Sequence, residues 1–265
     1  MAQQKTVDEI VAMREGGRLL SAALQQAVDA VKQGVNIREL DRIATEAIRA
    51  GGGEPSFLGY KSRSSDEGFP STVCISVNDE IVHGSGARDV VLKNGDLVGL
   101  DIGCWYKGLC TDMAVTVPVG GYEGLPKEHK TLLQVTRSSM MAGIEAAKVG
   151  GYIHDISGAI EDYIKTYKFG IVRALVGHGV GHKVHEDPHV PNFVSKDFPE
   201  VRIVDRMCLA IEPMVTLGGD YHVETGADGW TIKTKDGSWA AHFELTIAVT
   251  EAGVEILTPA PNVGF

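Results

Sequence analysis

The apolar residues of this chain recur at helical spacing in three regions. From residue 7 to residue 32 they repeat every three to four positions, which predicts an amphipathic helix that Gly34 ends. Asn36 is suited to cap a second helix, predicted to run to about residue 50, where three consecutive glycines follow. Helical spacing returns over residues 127–167.

Between the helical regions the apolar residues are β-branched and closely spaced, which is typical of strands. This pattern covers residues 71–118 and includes the segments VCISV, DLVGLDIG and MAVTV. Two later segments have the same character, MCLAIEPMV at 207–215 and AAHFELTIAVT at 240–250. Helices and strands in this mixed order predict an α+β fold.

An internal repeat relates the two halves of the chain. Residues 27–48 (AVDAVKQGVNIRELDRIATEAI) align without gaps on residues 143–164 (GIEAAKVGGYIHDISGAIEDYI). Gly34 matches Gly150 in this alignment. A repeat of this length indicates that each half forms a similar unit of helices and strands.

A second pair of matching segments supports the repeat. The HGSG of residues 83–86 corresponds to the HGVG of residues 178–181, and each is followed by a strand that carries an acid inside an apolar run. We therefore predict one domain over residues 1–265, with related halves of about 1–125 and 126–265 that pack around a shared cleft.

The net charge excludes some classes of partner. With 25 basic and 35 acidic residues the formal charge is −10, and the chain contains no run of Lys or Arg. Binding to a phosphate backbone requires concentrated positive charge, so we expect no stable nucleic-acid binding. No stretch of about 18 apolar residues occurs, so we expect no membrane span.

The cysteines indicate a reducing compartment. The four cysteines lie far apart and form no C-x-x-C pair, so neither a zinc knuckle nor a disulfide framework is predicted. The first residues, MAQQKTVDEIVAMREGG, lack the apolar core of a signal peptide. We expect a cytoplasmic protein, and a monomer, because no apolar stripe is left unassigned.

Four carboxylates interrupt strand-like apolar sequence, where acids are rarely buried without a partner. They are Asp101, Asp112, Glu212 and Glu244. One such residue alone is equally compatible with a strand-end acid that reaches solvent or an Arg, but four together favour a bound cation. A hairpin with its turn at residues 105–108 would bring Asp101 and Asp112 together, and two adjacent carboxylates repel unless a metal ion lies between them.

Histidine supplies a second type of metal ligand. The segment GHGVGHKVHEDPHVP contains four of the nine histidines, namely His178, His182, His185 and His189. Histidine is the commonest metal ligand and a common proton shuttle. A donor set rich in oxygen with one nitrogen suits paired divalent ions such as Mn²⁺, Fe²⁺ or Co²⁺ better than a structural zinc site.

Two apparent motifs in the same segment fail on physical grounds. Residues 185–189 match H-E-x-x-H formally, but this zinc motif requires a helix, and Pro188 disrupts a helix interior. The glycines of residues 177–181 occur without the Lys and Ser/Thr of a phosphate-binding loop. We predict neither a zincin nor a nucleotide site.

Six sequence runs follow one another along nearly the whole chain: GYKSRSSDEGFPSTVCISVNDEIVHG, GDLVGLDIG, GLCTDMAVTV, GHGVGHKVHEDPHVPNF, AIEPMV and DGWTIKTKDGSWAAHFELTIAVT. Together they resemble the type I methionine aminopeptidases. The resemblance implies a pita-bread fold, in which two pseudo-symmetric halves place helices outside a curved antiparallel sheet. It also implies a hydrolase that removes the N-terminal methionine from nascent proteins, preferably before a small second residue, and that associates transiently with the ribosome.

The resemblance implies a site for two divalent metal ions, Co, Mn, Fe or Zn. The implied ligands are Asp101, Asp112, His178, Glu212 and Glu244. Asp112 and Glu244 would bridge the ions, Asp101 would hold one of them, and His178 with Glu212 would hold the other. Paired ions acidify a bridging water and polarise the scissile carbonyl, and Glu212 would accept the proton.

The resemblance assigns two histidines and a pocket to the substrate. His185 would bond to the substrate carbonyl as negative charge develops, and His83 would contact the amide nitrogen of the scissile bond. The implied methionine pocket is apolar and aromatic, which suits a thioether. Its matching residues here are Tyr60, Phe69, Cys74 and Trp230, with Phe57 nearby.

Three departures from the family pattern lie near the site. At the pocket edge, Val184 stands where the family often has Phe. The polar loop of residues 61–68 is several residues longer than in comparable bacterial enzymes, which we expect to alter access to the pocket. Gly103 replaces a residue that often supplies a hydroxyl, so the contacts that tune the metal ligands are expected to differ.

Two other functions are compatible with the implied fold. Proline-directed peptidases of the prolidase or aminopeptidase P type share the five ligands but usually carry a sizeable N-terminal domain, whereas fewer than 60 residues precede the first pocket residue here. A non-catalytic binding module usually loses metal ligands, and all five are present. Type II methionine aminopeptidases carry a helical insertion between His178 and Glu212, and only 33 residues separate these positions.

Overall fold

The fold combines four α-helices with fifteen strands within residues 4–61 and 67–265, which are the residues that the computed structural model describes. The helices are α1 (Val7–Asp29), α2 (Ile37–Ala50), α3 (Lys127–Ala146) and α4 (Ile153–Lys165), and a 3₁₀ turn covers Tyr122–Gly124. The strands are β1 (Glu54–Pro55), β2 (Val73–Val77), β3 (Glu80–Val82), β4 (Leu97–Tyr106), β5 (Leu109–Pro118), β6 (Gly170–Ile171), β7 (Gly177–Gly179), β8 (Glu186–Val190), β9 (Met207–Ile211), β10 (Met214–Thr216), β11 (Val223–Thr225), β12 (Ile232–Thr234), β13 (Ala240–His242), β14 (Glu244–Thr250) and β15 (Gly253–Ile256).

The central element is a nine-stranded antiparallel sheet. Its main path runs β1-β4-β5-β14-β9-β7-β8, with β2 also beside β4 and β15 also beside β14. Two three-stranded sheets, β13-β10-β6 and β11-β12-β3, accompany it. The pairing of β5 with β14 joins strands from the first half of the chain to strands from the second. The predicted α+β class is confirmed.

Each half of the sheet has its own pair of helices. α1 packs on β4 and β5 and α2 on β1 and β2, whereas α3 packs on β9, β10 and β13 and α4 on β8. The helices bury apolar stripes that include Leu24, Leu40, Leu133 and Ile156. Full burial of one such side chain stabilises the fold by about 1.5–3 kcal/mol, so these stripes hold the helices against the sheet.

The internal repeat is confirmed in backbone detail. Gly34 and Gly150 both adopt a φ of +85°, the left-handed conformation that glycine permits. The amide of Gly34 donates to the carbonyl of Leu92, and that of Gly150 donates to the carbonyl of Ile203, each at 2.9 Å. In each half, the first residue of the following helix makes one further bond of the same length to the same segment. The halves therefore repeat both a sequence and its tertiary anchoring.

Three predicted elements are interrupted. The helical stretch of residues 127–167 is two helices, because residues 147–152 leave the helical conformation around Gly150. The strand of residues 207–215 is broken after Ile211, since Pro213 has no amide to donate. The strand of residues 240–250 is broken at Phe243. The last two breaks adjoin the predicted ligands and allow the chain to change sheets there.

The four cysteines are buried and carry free thiols: Cys74, Cys104, Cys110 and Cys208. Across the described ranges, every helix is too short or too polar to cross a membrane.

A buried ion pair anchors the N-terminal segment to the second half. The Nζ of Lys5 lies 2.7 Å from Oε2 of Glu186, and the two side chains are only 1% and 9% exposed. The other oxygen of Glu186 accepts the amide of Lys183, and the amide of Lys5 donates to the carbonyl of Arg206. Glu186 opens β8 and follows His185 directly, so this pair supports one wall of the cleft.

We expect Lys5→Met to lower the free energy of unfolding by about 3–5 kcal/mol, because it leaves the Glu186 carboxylate buried without its cation. Urea unfolding followed by circular dichroism measures this change. Lys107→Met is the matched control, since Lys107 pairs with Glu15 on the surface. Its unfolding midpoint should stay close to that of the wild type. Equal midpoints for both variants would contradict a structural role for the buried pair.

Candidate metal centre

The strand register brings three of the predicted ligands to one face of the sheet. Asp101 of β4 lies opposite Ala114 of β5, and Glu244 of β14 lies opposite Ala114 on its other side. Asp112 is two residues before Ala114 and faces Gly103. Because side chains alternate along a strand, all three acids point to the same face. The predicted convergence of Asp101 and Asp112 in a hairpin is confirmed.

The second half contributes His178 and Glu212 to this face. His178 of β7 pairs with Ala210 of β9, and Glu212 follows two residues later, just beyond the end of β9. The Nε2 of His178 lies 3.4 Å from Oε1 of Glu212. The Nδ1 of His178 lies 2.9 Å from the carbonyl oxygen of Gly179, which can only accept. Nδ1 must therefore carry the proton, and the lone pair of Nε2 faces the acids.

A histidine that sequence reasoning did not single out lies among these acids. The Nε2 of His242 is 3.5 Å from Oε2 of Glu212 and 3.9 Å from Oε2 of Glu244. His242 is the last residue of β13, and its side chain is only 3% exposed. The spacing of His242 and Glu244, two residues apart in strand-like sequence, is the signal that could have identified it.

Two groups of donors are close enough to hold metal ions. Asp112, His178 and Glu244 form one, and Glu212, His242 and Glu244 form the other, with the donor atoms of each group within 4.8 Å of one another. Glu244 belongs to both groups. Asp101 lines the same cavity but belongs to neither group.

Burial makes these carboxylates costly to ionise together. Burial raises the pKa of Glu212 to about 8. Burial and the neighbouring Glu212 charge together raise the pKa of Asp101 to about 7. The pKa values of Asp112 and Glu244 are raised well above the usual range, first by burial and then by the other acids of the cluster. Only a strong positive charge at this point would allow the four groups to ionise together.

The unpaired polar atoms of the cluster fit a divalent cation. Oδ1 of Asp101, Oδ1 of Asp112, Oε1 of Glu244 and Nε2 of His242 are buried without a hydrogen-bond partner in the described part of the chain. Buried polar atoms are rarely left in this state. Carboxylate oxygens with imidazole nitrogen are donors for a divalent metal, so the residues present fit the predicted cofactor.

A cavity of about 310 Å³ opens above the acids. It contains all four predicted pocket residues, Tyr60, Phe69, Cys74 and Trp230, together with Phe57, and it adds Thr225 and Ile232, which were not predicted. The rings of Phe69 and Trp230 meet edge to face with their centroids 5.2 Å apart. The cavity is therefore an aromatic pocket with a polar, acidic floor.

The two predicted substrate histidines stand on this pocket. His185 lines it at the solvent side, and its Nδ1 lies 2.9 Å from the hydroxyl of Tyr60. His83 has a φ of +60°, which is uncommon for a residue with a side chain, and it follows β3 directly. Burial lowers the pKa of His83 to about 4, with His185 and His242 adding to the effect, so the ring is neutral at pH 7.

The three family departures have different outcomes. Val184 is buried. Residues 62–66 of the longer loop lie outside the described residues, so its predicted effect on access stays a prediction. At Gly103, the Oγ of Ser56 lies 2.1 Å from the position that a Cβ would occupy. Ser56 thus fills the space that a side chain at this position would need, and it brings a hydroxyl to it.

The remaining histidines of the segment lie apart from the acids. Residues 186–190 form β8 rather than a helix, which confirms that the H-E-x-x-H match is not a zincin motif. His189 faces His178 across the strand pair but is exposed to solvent. His182 instead contacts Glu9 near the start of α1, at 2.6 Å.

Comparison with known proteins agrees with this geometry. A model of metallopeptidase family M24 matches residues 11–251. Methionine aminopeptidase 1 of Bacillus subtilis (strain 168) is 44% identical over 255 residues, which make up 96% of this chain and 98% of that relative. The crystal structure of methionine aminopeptidase from Thermotoga maritima matches with a TM-score of 0.90 at 38% identity, over 97% of this chain and 99% of that one.

A more distant likeness concerns the fold alone. Prolidase from Pyrococcus furiosus matches with a TM-score of 0.77 at 22% identity, over 98% of this chain but only 66% of the prolidase. The predicted pita-bread fold, with two pseudo-symmetric halves, is thereby confirmed. The two matches at 38% and 44% identity, which cover nearly the whole chain, are both methionine aminopeptidases. The chain therefore belongs to metallopeptidase family M24, among the methionine aminopeptidases.

Proposed function

We propose that this chain removes the N-terminal methionine from nascent peptides at a centre of two divalent metal ions. The observation that carries the proposal is a cluster of buried acids and histidines that forms the floor of an aromatic pocket. The proposed ligands are Asp101, Asp112, His178, Glu212 and Glu244. The metal is Co, Mn, Fe or Zn, and ligand type alone does not select among them.

The ligands come from both halves of the molecule, which favours a shared dinuclear centre. Asp101 and Asp112 lie on β4 and β5, and His178 and Glu244 lie on β7 and β14. When bound, a pair of divalent ions supplies Lewis acidity that lowers the pKa of water and polarises the scissile carbonyl. The protein contributes a rigid sheet that holds the donors in position before the ions bind.

The pocket above the acids accommodates the methionine side chain. Phe69, Trp230 and Tyr60 provide aromatic surface, with which a thioether makes favourable contacts. Burial and the neighbouring acids raise the pKa of Cys74 well above its usual range, so its thiol stays neutral and contributes apolar surface. The unbranched methionine fits this wall while its scissile bond lies over the carboxylates.

The two histidines orient the scissile amide. With the Tyr60 hydroxyl donating to Nδ1 of His185, the Nε2–H of His185 is available to the substrate carbonyl oxygen as negative charge develops there. His83 is neutral at pH 7, so one of its ring nitrogens can accept the amide N–H of the scissile bond.

Glu212 moves the proton in this proposal. Its carboxyl lies on the floor of the pocket beside the other acids, and once ionised it can accept a proton there. It takes the proton of the attacking water and delivers it to the leaving amine.

Proline-directed cleavage is the weaker alternative, since the prolidase likeness is limited to the fold and to 66% of that chain. A non-catalytic module is disfavoured by the retention of all five predicted ligands. The preference for a small second residue and the contact with the ribosome rest on the family resemblance and stay predictions.

Metal-stripped protein should release methionine from Met-Gly-Met-Met only after Mn²⁺, Co²⁺, Fe²⁺ or Zn²⁺ is added back, because the ions supply the Lewis acidity of the site. An Ala-Pro-x peptide should remain intact in a parallel reaction. Chromatography of the free amino acid measures both. Cleavage of the prolyl peptide alone would favour the alternative, and no cleavage with any metal would contradict the proposal.

Glu212→Gln should lower kcat by about 10²–10⁴-fold with little change in the thermal midpoint, since the amide keeps the shape of the carboxyl but cannot shuttle a proton. Steady-state kinetics with the methionyl peptide, beside a thermal melt, give both values. Glu128→Gln, at an exposed position on α3, is the matched control and should retain wild-type kcat. Normal turnover by the Glu212 variant would remove this residue from its proposed role.

A further inference from the structure

The last residue of β13, His242, has no role in the five-ligand set, although it lies among the buried acids. Its ring nitrogen Nε2 is buried and has no hydrogen-bond partner in the described part of the chain. Carboxylate oxygens of Glu212 and Glu244, both proposed as metal ligands above, lie 3.5 Å and 3.9 Å from it. A buried polar atom in this state requires an explanation, because it costs the free energy of its lost hydration.

We propose that His242 is a sixth protein ligand of the metal centre and supplies it with a second imidazole nitrogen. This inference deepens the proposed function and rests on it. It places His242 with Glu212 and Glu244 around one ion, while His178 serves the donor group that contains Asp112.

The distances fit a shared metal ion better than a hydrogen bond. Nitrogen and oxygen ligands lie about 2.0–2.2 Å from a divalent ion such as zinc, so two donors on one ion are at most about 4.4 Å apart. Nε2 of His242 lies 3.5 Å from Glu212 and 3.9 Å from Glu244, within that limit. An N–H···O hydrogen bond is shorter, at about 2.7–3.2 Å.

The Glu212 carboxylate lies between two imidazoles. Its Oε1 is 3.4 Å from Nε2 of His178, and its Oε2 is 3.5 Å from Nε2 of His242. Each oxygen of Glu212 can therefore serve a separate ion, with one histidine nitrogen on each side. Glu244, which belongs to both donor groups, completes the connection between the two positions.

Backbone contacts fix the position of His242. Its amide and its carbonyl both bond to Oγ1 of Thr116, each at 2.9 Å, and it pairs with Met214 of β10. The strand break at Phe243 then carries the chain from the small sheet into the large one. His242 and Glu244 consequently approach the cleft from different sheets, which brings their donor atoms together.

A second nitrogen ligand changes which metals the site prefers. Imidazole suits Zn²⁺ and Fe²⁺, and Co²⁺ lies above both Mn²⁺ and Fe²⁺ in the general order of affinity, whereas a site rich in carboxylate oxygen suits Mn²⁺. We therefore expect His242→Gln to weaken Co²⁺ and Zn²⁺ binding by at least about 10–100-fold, which is the loss that follows removal of a residue supporting a metal ligand. Mn²⁺ binding should weaken less. Titration calorimetry of metal-stripped protein measures these affinities independently of activity.

Proton NMR of the wild type loaded with two equivalents of Co²⁺ counts the coordinated histidines directly. Each imidazole bound to this paramagnetic ion gives a strongly shifted ring N–H resonance, so we expect two such resonances in the wild type and one in His242→Gln. His154→Gln is the matched control, because Nε2 of His154 is also buried without a partner but lies on α4. It should retain both resonances and the wild-type affinities.

Each outcome is decisive. A single shifted resonance in the wild type overturns the sixth ligand, whether or not His242→Gln folds. Unchanged Co²⁺ affinity in a folded His242→Gln variant does the same. If methionine release persists in either case, the proposed function stands alone, whereas failure of the wild type to bind any of the metals overturns both.

Discussion

The burial of four carboxylates on one face of a sheet is the constraint around which this fold is arranged. Asp101, Asp112 and Glu244 lie on adjacent strands around the small side chain of Ala114, and Glu212 follows at the end of β9. Such a cluster is electrostatically unfavourable by itself, and hydrophobic burial elsewhere must offset it. The long β4–β5 hairpin and the buried helical stripes provide a scaffold rigid enough to hold the acids together.

The two-fold repeat explains how one chain assembles donors of different kinds. Gly34 and Gly150 anchor equivalent helices in the same conformation, yet the strands that follow have diverged. The first half contributes two aspartates from a hairpin, and the second contributes glutamates and histidine from shorter, interrupted strands. Their meeting at β5 and β14 places the centre at the junction of the halves, where neither half alone could form it.

Sequence patterns predicted most of this architecture, and their failures have physical causes. Alternation and β-branching located the strands that carry Asp101 and Asp112, because both signals are local. The breaks at Pro213 and Phe243 depend on which sheet each strand joins, so periodicity did not show them. His242 was missed because a lone histidine in a strand is usually structural, and only tertiary packing shows that it faces Glu212. The role of Ser56 beside Gly103 likewise depends on a contact between distant segments.

The pair of Lys5 and Glu186 gives the molecule a particular order of assembly during synthesis. Its partners are 181 residues apart, so Lys5 leaves the ribosome long before the carboxylate that neutralises it. Contacts of such sequence separation form late, since a long loop must close first. The first helix therefore gains its final anchor only when β8 has been translated, because Glu186 is the first residue of that strand. A partly synthesised chain that lacks β8 consequently lacks both this anchor and the wall of the cleft beside His185.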